Sequence, residues 1–205
     1  MRSRLANAAF LVGAFVLAGC QLPYTGGAKP VSPNTIDGAW LQASPTPVIR
    51  QGAESDCGLA ALAMMGNAWG VPMTVGSLQH ELHADDNGVK LGALRDVARK
   101  HDLDAYAVKA STDDLVHELQ QHRPVLLGLV LPFDREHNRN HYEVAIAMDP
   151  RDGKVVTIDP ASGNRMERSR AVLDIEWKAA GYAALVVVGK TGGGDRESAP
   201  ASKEE

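Results

Sequence analysis

Four residues of this 205-residue chain have the types and the order of a cysteine-nucleophile site. Cys57 begins a segment with helical spacing, and the N–H groups of a first helical turn favour the thiolate form of a cysteine. His141 could act as general base and acid, and Asp159 could orient its imidazole. Gln51, upstream of the cysteine, could donate its side-chain amide to an oxyanion. Together these residues predict nucleophilic catalysis by a thiol.

The spacing of apolar residues changes along the chain, and it predicts the elements that must position these residues. Apolar spacing with capping and stop signals predicts helices over about 57–69, 74–82, 91–101 and 112–123. Apolar or alternating runs then predict strands over 124–131, 141–148, 154–159 and 183–189. A turn at 149–153 makes a hairpin of the middle two, which would bring Asp159 close to His141. The sequence therefore predicts an α+β domain with N-terminal helices packed on an antiparallel sheet.

Residues 1–20 have the pattern of a bacterial lipoprotein signal. Arg2 and Arg4 precede an apolar run that is shorter than the roughly 20 residues a membrane-spanning helix needs. The run ends in Leu17-Ala18-Gly19-Cys20, which resembles a lipobox, whose cysteine is diacylated and becomes the first mature residue. We therefore expect a signal peptide over 1–19 and an exported protein anchored by lipid on Cys20. The alternative is an ordinary secretory signal that ends beside a chance cysteine.

The residue after the expected lipidation site bears on the choice of membrane. Gln21 stands where enterobacterial lipoproteins retained in the inner membrane have aspartate. Resemblance to that class favours the outer membrane, with the protein facing the periplasm. Lipidation of Cys20 would also leave Cys57 without a disulfide partner in the chain, so Cys57 is either a reactive thiol or a buried, inert one.

Composition divides the chain into a tether, a domain and a tail. Residues 20–44 are rich in Pro, Gly, Ser and Thr and predict a flexible tether, whereas 191–205 predict a disordered tail. Residues 45–190 remain as one domain, and contents of 44% hydrophobic and 22% charged residues fit a globular protein. A net charge of −4 supplies no basic surface for nucleic acid. Neither a second apolar span nor a phosphate-binding loop is expected.

Several short motifs, in order, resemble the bacteriocin-processing, double-glycine leader peptidases. These are papain-like cysteine peptidases, best known as N-terminal domains of bacteriocin exporters. The resemblance covers about residues 45–189 and includes a closing helix and strand over 170–185. The motifs that carry it are Asp56-Cys57-Gly58-Leu59-Ala60-Ala61, Gly88-Val89-Lys90-Leu91-Gly92, Pro124-Val125, His141-Tyr142-Glu143-Val144 and Asp159-Pro160-Ala161-Ser162-Gly163.

The resemblance implies a papain-like fold and a role for each candidate residue. Cys57 would be the nucleophile, His141 the general base and acid, Asp159 its orienting group and Gln51 a donor in the oxyanion hole. The implied reaction is cleavage after a Gly-Gly pair in a leader peptide. Leu59 departs from the proline usual in the family, and the expected absence of a transporter departs from the exporter-linked arrangement.

Three function classes stay open at this point. An active thiol peptidase is favoured over a non-hydrolytic peptide-binding module and over transglutaminase-like or amidase acyl transfer, which uses the same residue set. His137 and His141, with Glu136 and Glu143 nearby, would suit a metal, but the polar segment around His137 indicates a loop. No cofactor is expected. The expected partners are a peptide or protein substrate, a membrane through Cys20, and an exporter or secretion system.

Overall fold

The computed structural model describes residues 27–82, 88–132 and 138–189, and its elements alternate between helices and strands. The α-helices are α1 (Cys57–Ala68), α2 (Val75–Glu81), α3 (Leu91–Lys100), α4 (Thr112–Gln120) and α5 (Arg170–Ala179). The strands are β1 (Lys29–Pro30), β2 (Leu41–Gln42), β3 (Leu103–Lys109), β4 (Val125–Pro132), β5 (Asn138–Met148), β6 (Val155–Asp159), β7 (Asn164–Arg168) and β8 (Ala183–Gly189). Within these ranges no helix has both the length and the apolar character of a membrane span.

Side-chain caps fix the starts of two helices, α2 and α4. The hydroxyl of Thr74 accepts the N–H of Ser77 at 3.0 Å at the start of α2, and Ser77 bonds back to the Thr74 N–H. At α4 the hydroxyl of Ser111 accepts the Asp114 N–H at 3.2 Å, with a reciprocal bond. Each reciprocal pair satisfies two N–H groups that a helix N-terminus leaves unpaired. The four predicted helices are confirmed with small shifts at their ends.

The strands form a single antiparallel sheet, covered by helices on both faces. Its order is β1-β7-β6-β5-β4-β8-β3, with β2 paired to β5. On one face Leu126 joins an apolar cluster with residues of α1, α2 and α3, such as Leu59 and Leu94. On the other face Leu127 joins a second cluster with α4 and α5, which contribute residues such as Trp177. Because both faces are buried, β4 is apolar throughout. The predicted α+β class, with helices on an antiparallel sheet, is confirmed.

The flexible tether predicted over residues 20–44 is wrong for the part that the structure describes. β1 pairs antiparallel with β7, and β2 pairs antiparallel with β5. Trp40, just before β2, is only 8% exposed and belongs to the core. Two-residue strands carry no periodicity, so the Pro- and Gly-rich composition pointed to a tether instead. The signal peptide (1–19), Cys20 and the tail (191–205) lie outside the described residues and stay predictions.

Two further strands were not predicted from the sequence. β3 alternates small and polar residues, and only Leu103 and Ala105 are fully buried on its inner side. β7 has the sequence Asn-Arg-Met-Glu-Arg and resembles a surface loop. Its last residue, Arg168, is nevertheless 1% exposed, because a buried ion pair holds it inside the domain.

Candidate active site

Cys57 lies at a rigid helix start. It is the first residue of α1, follows a 3-10 turn at Glu54–Asp56, and is 6% exposed. The carboxylate of Asp56 holds that turn by accepting the Ala53 N–H at 2.8 Å and the Gln79 amide at 3.0 Å. Residues 57–66 of α1 are all buried, so the helix cannot rock against its surroundings without breaking core contacts. The thiol therefore has a fixed position at the positive end of the helix dipole.

His141 and Asp159 meet through the hairpin that the sequence predicted. β5 and β6 pair antiparallel with Val144 opposite Ile158, which brings the end of β6 close to His141. Nε2 of His141 lies 2.7 Å from Oδ1 of Asp159, and both residues are buried. Because Nε2 is engaged by the carboxylate, Nδ1 is the ring nitrogen left to face Cys57.

The Asp159 carboxylate is itself fixed by the turn that follows β6. Its Oδ1 accepts the N–H of Ala161 at 2.8 Å, and its Oδ2 accepts the N–H of Ser162 at 3.1 Å. Gly163 closes the turn with φ +69°, a conformation that side-chain-bearing residues rarely adopt, and donates its N–H to the Asp159 carbonyl. The carboxylate can therefore keep the imidazole in one orientation.

The pKa values of His141 and Asp159 are both shifted by their contacts in the site. Burial alone would lower the pKa of His141, but hydrogen bonds to Asp159 and Cys57, together with the nearby charge of Glu143, raise that pKa to about 10. Burial would raise the pKa of Asp159, yet its bond to His141 prevails and lowers that pKa to about 2. The arrangement favours an imidazolium held between a carboxylate and a thiol. A cysteine–histidine pair attacks a carbonyl with the sulfur as thiolate and the imidazole protonated, so this imidazolium is the partner that the attack requires.

Gln51 lies beside both halves of this arrangement. Its backbone N–H donates to the Pro160 carbonyl at 3.0 Å, in the turn that fixes Asp159. Its side-chain Nε2 donates to the carbonyls of Ala53 at 2.9 Å and Glu54 at 3.2 Å, in the turn before the cysteine. Among the described residues, its Oε1 is the buried side-chain oxygen without a hydrogen-bond partner. The structure thus brings Gln51 to the site, with its amide hydrogens on backbone carbonyls.

A cleft of about 620 Å³ contains the thiol and the imidazole. β4 contributes Gly128, the α5–β8 connection contributes Ala180, and β8 contributes its first residue, Ala183. A Cβ atom added at Gly128 would lie 3.2 Å from the Cβ of Ala183 and 3.4 Å from the Tyr142 ring. The cleft wall is therefore closely packed at Gly128, and a side chain at this position would have to displace Ala183 or Tyr142.

The ligand-type atoms of His141, Glu143 and Asp159 lie within 4.8 Å of one another. The group does not fit a metal ion, because both oxygens of Glu143 are bonded by the Arg168 guanidinium at 2.6 Å. A cation would have to displace a buried positive charge from that carboxylate. The metal site considered from the sequence also used His137, which lies outside the described residues.

The sequence indicated the residues nearest the chemistry but not those behind them. Cys57 and His141 line one cleft and Asp159 bonds His141, whereas Gln51 lies in the adjoining turns with its amide on backbone carbonyls. Arg168 was missed because β7 resembled a surface segment. A usable signal was present in β5, where a glutamate stands in an otherwise apolar strand. A charged residue in such a strand requires a buried partner.

A helix-borne thiol facing a strand-borne histidine, which is held in turn by a carboxylate, defines a papain-like cysteine peptidase. A profile of the Peptidase C39 family matches residues 45–190, and the chain belongs to this family of cysteine peptidases. The resemblance to double-glycine peptidases is thereby confirmed.

Solved structures share the fold at low sequence identity. The peptidase domain of Streptococcus ComA, a bifunctional ABC transporter involved in quorum sensing, aligns with a TM-score of 0.58 at 18% identity, covering 71% of this chain and 100% of that one. A putative C39-like peptidase from Bacillus anthracis gives 0.61 at 19%, covering 74% and 98%. A double glycine motif protease from an AMS/PCAT transporter, solved with the leader peptide, gives 0.57 at 16%, covering 73% and 95%. No curated protein matches the chain significantly.

Proposed function

We propose that this protein is an exported, lipid-anchored endopeptidase that cleaves a peptide or protein after a Gly-Gly pair, with Cys57 as its nucleophile. One observation carries the proposal. Cys57 and His141 line one cleft, and the Asp159 carboxylate holds the imidazole of His141 at 2.7 Å. A binding module has no need of an imidazolium held against a thiol, so hydrolysis is favoured over recognition alone.

The chemistry follows from the protonation state of the pair. The Cys57 thiolate attacks the scissile carbonyl carbon, and the C=O π electrons move to oxygen. When the C=O bond re-forms, the C–N bond breaks and His141 gives its Nδ1 proton to the departing amine. The acyl group remains on the sulfur of Cys57 as a thioester. A water molecule then attacks the thioester and returns a proton to His141. The C–S bond breaks and the thiolate is restored. Throughout, Asp159 holds the imidazole through Nε2.

Gln51 serves in this proposal as a donor to the oxyanion. Its bond to the Glu54 carbonyl, at 3.2 Å, is the longer of its two side-chain bonds and is the one to exchange for the oxyanion. Removing one oxyanion donor typically costs about 10²–10³ in kcat. Gln51→Ala should therefore lower kcat by that order, with little change in KM.

The proposed Gly-Gly specificity is supported by membership of the Peptidase C39 family. A fold neighbour, the double glycine motif protease, was solved with a leader peptide bound. An exporter or secretion system that handles such precursors is the partner we propose.

Membrane anchoring rests on the lipobox-like Leu17-Ala18-Gly19-Cys20 and on Gln21, which favours the outer membrane. Cys20→Ala should move the protein from the membrane fraction to the soluble fraction of the envelope, and labelled palmitate should no longer be incorporated. Continued membrane association of the variant would contradict the anchor.

A peptide library with and without internal Gly-Gly pairs tests the activity. Wild-type protein should cut after the second glycine, and Cys57→Ala should not. His141→Ala should also abolish the enhanced reaction of Cys57 with iodoacetamide near neutral pH. Tight binding without cleavage would favour a binding module, and incorporation of an added amine would favour acyl transfer. Either result would overturn the peptidase proposal.

A further inference from the structure

A buried ion-pair network lies directly behind the His141–Asp159 pair. Both guanidinium NH groups of Arg168 bond Glu143, with NH1 to Oε2 and NH2 to Oε1 at 2.6 Å each. The Nε of Arg168 bonds Oε2 of Glu176 at 2.6 Å. The hydroxyl of Thr157 donates to Glu143 and accepts from Arg168 at 2.9 Å. The other oxygen of Glu176 accepts the Gly27 N–H at 2.8 Å.

Among the described residues, the network joins two carboxylates to one guanidinium, and the Glu143 carboxylate lies close to the imidazole. Two carboxylates share one guanidinium, and the Glu143 and Arg168 side chains are fully buried. Oε1 of Glu143 is 4.0 Å from Nε2 of His141. The two residues are separated by one position on β5 and therefore share a face of the sheet. Replacing these ion pairs with apolar residues is often neutral for folding, so their presence calls for a reason other than stability.

The groups that face His141 come from three elements. Cys57 approaches from α1, Glu143 lies on β5 itself, and Asp159 approaches from β6. Arg168 from β7 stands behind Glu143 and does not bond the imidazole in the described contacts. Asp159 holds the ring by a direct hydrogen bond, whereas Glu143 acts across 4.0 Å through its charge.

We propose that Glu143, clamped by Arg168, is a positioning residue for the His141 imidazolium. Arg168 fixes the Glu143 carboxylate, whose charge favours the protonated ring and keeps Nε2 of His141 turned toward Asp159 and Glu143. This role rests on the proposed function, because it matters only if His141 is the acid and base. In this role Arg168 neutralises part of the charge of Glu143 and prevents the Glu143 carboxylate from bonding the ring in place of Asp159.

The test is the titration midpoint of His141, followed by NMR of 13C-labelled histidine in the full-length protein. Cys57→Ala serves as background so that the thiol does not titrate with the ring. The His141 signal is the one absent from His141→Asn. Glu143→Gln should lower the midpoint by about one pH unit, since the removed charge is close but partly neutralised. Glu143→Asp, which keeps the charge but withdraws it by one methylene, should lower the midpoint less.

Glu176→Gln is the matched control. It also removes one carboxylate from Arg168, but at Nε, on the side away from Glu143. A purely structural role predicts that both glutamine variants lower Tm alike and leave the midpoint unchanged. Equal shifts in the two variants, or no shift in a folded Glu143→Gln, would overturn the proposal. If Glu143→Gln fails to fold, an unshifted midpoint in Glu143→Asp overturns it.

The proposed function is checked separately in protein that retains its thiol. Iodoacetamide should modify Cys57 faster in the parent protein than in His141→Ala. If that difference is absent, the peptidase proposal fails whatever the NMR shows. If it is present but the midpoint does not respond to Glu143, only the positioning role fails.

Discussion

Replacing Asp159 with asparagine isolates the charge that holds the imidazolium. The variant keeps an oxygen that can accept the His141 Nε2–H and the Ala161 N–H, but it loses the negative charge. A buried hydrogen bond to a charged group contributes about 1.5–3 kcal/mol. At 1.36 kcal/mol per pKa unit, this loss corresponds to about one to two units. The pKa of His141, raised to about 10 in the parent protein, should fall by that amount.

The direction of the pKa shift follows from the protonation state of His141 that Asp159 stabilises. Asp159 favours the protonated ring, so removing its charge lets His141 lose its proton at a lower pH. The high-pH limb of kcat/KM for a Gly-Gly peptide should therefore move downward by about one to two units, while activity below that limb is largely kept. Asp159→Ala, which also removes the acceptor, should lose most of the activity at every pH.

Asp149→Asn provides the matched control. Asp149 lies just after β5, as Asp159 lies at the end of β6, and its carboxylate also accepts a backbone N–H two residues later, at Arg151. It makes none of the contacts to His141 described above, so its replacement should leave the pH limb in place. An unmoved limb in a folded Asp159→Asn would refute the reasoning, as would an equal shift in Asp149→Asn.

Three further predictions concern the cleft, the pH dependence of stability and the N-terminal segment. Gly128→Ala places a Cβ atom 3.2 Å from the Cβ atom of Ala183 in the wall of the cleft. We therefore expect kcat/KM for a Gly-Gly peptide to fall at least about tenfold, with no change in the rate of alkylation of Cys57. Slowed alkylation would instead indicate a distorted site. The raised pKa of His141 contributes stability that is complete below pH 6.5 and is lost as the pH rises through about 10. The lowered pKa of Asp159 contributes stability that is complete above pH 3.8 and is lost as the pH falls through about 2. A free energy of urea unfolding that is constant across both pH windows would contradict this. Trp40→Ala should cost about 3 kcal/mol in urea unfolding, and a loss below about 0.5 kcal/mol would mean that the segment does not contribute to the core.

Local sequence signals were sufficient for the helices and the central hairpin. Thr74 and Ser77 cap α2 by contacts within four residues of each other, so nothing distant was needed to predict its start. β4 could be recognised because burial on both faces makes it continuously apolar. The order Cys57, His141, Asp159 was likewise visible, because the hairpin that joins the last two has a clear turn signal.

What the sequence could not supply depends on partners far along the chain. Arg168 is buried because Glu143, 25 residues earlier, receives both of its NH groups. β1 exists because β7 offers it an edge to pair with. In both cases the local sequence is polar or Pro-rich, and only the assembled sheet decides that it lies inside or beside the core.

The same dependence explains how a site drawn from distant segments can be rigid. The turn before Cys57 is held by Asp56, and Gln51 ties this turn to the one that fixes Asp159 by donating its N–H to Pro160. A displacement of the Asp159 turn would therefore pull on the segment that leads into α1. The tie to Pro160 is a backbone hydrogen bond, so Gln51→Ala leaves it intact and removes only the side-chain bonds to the Ala53 and Glu54 carbonyls. A loss of activity in Gln51→Ala with unchanged His141 titration would thus assign the effect to the side-chain amide and not to a displaced Asp159 turn.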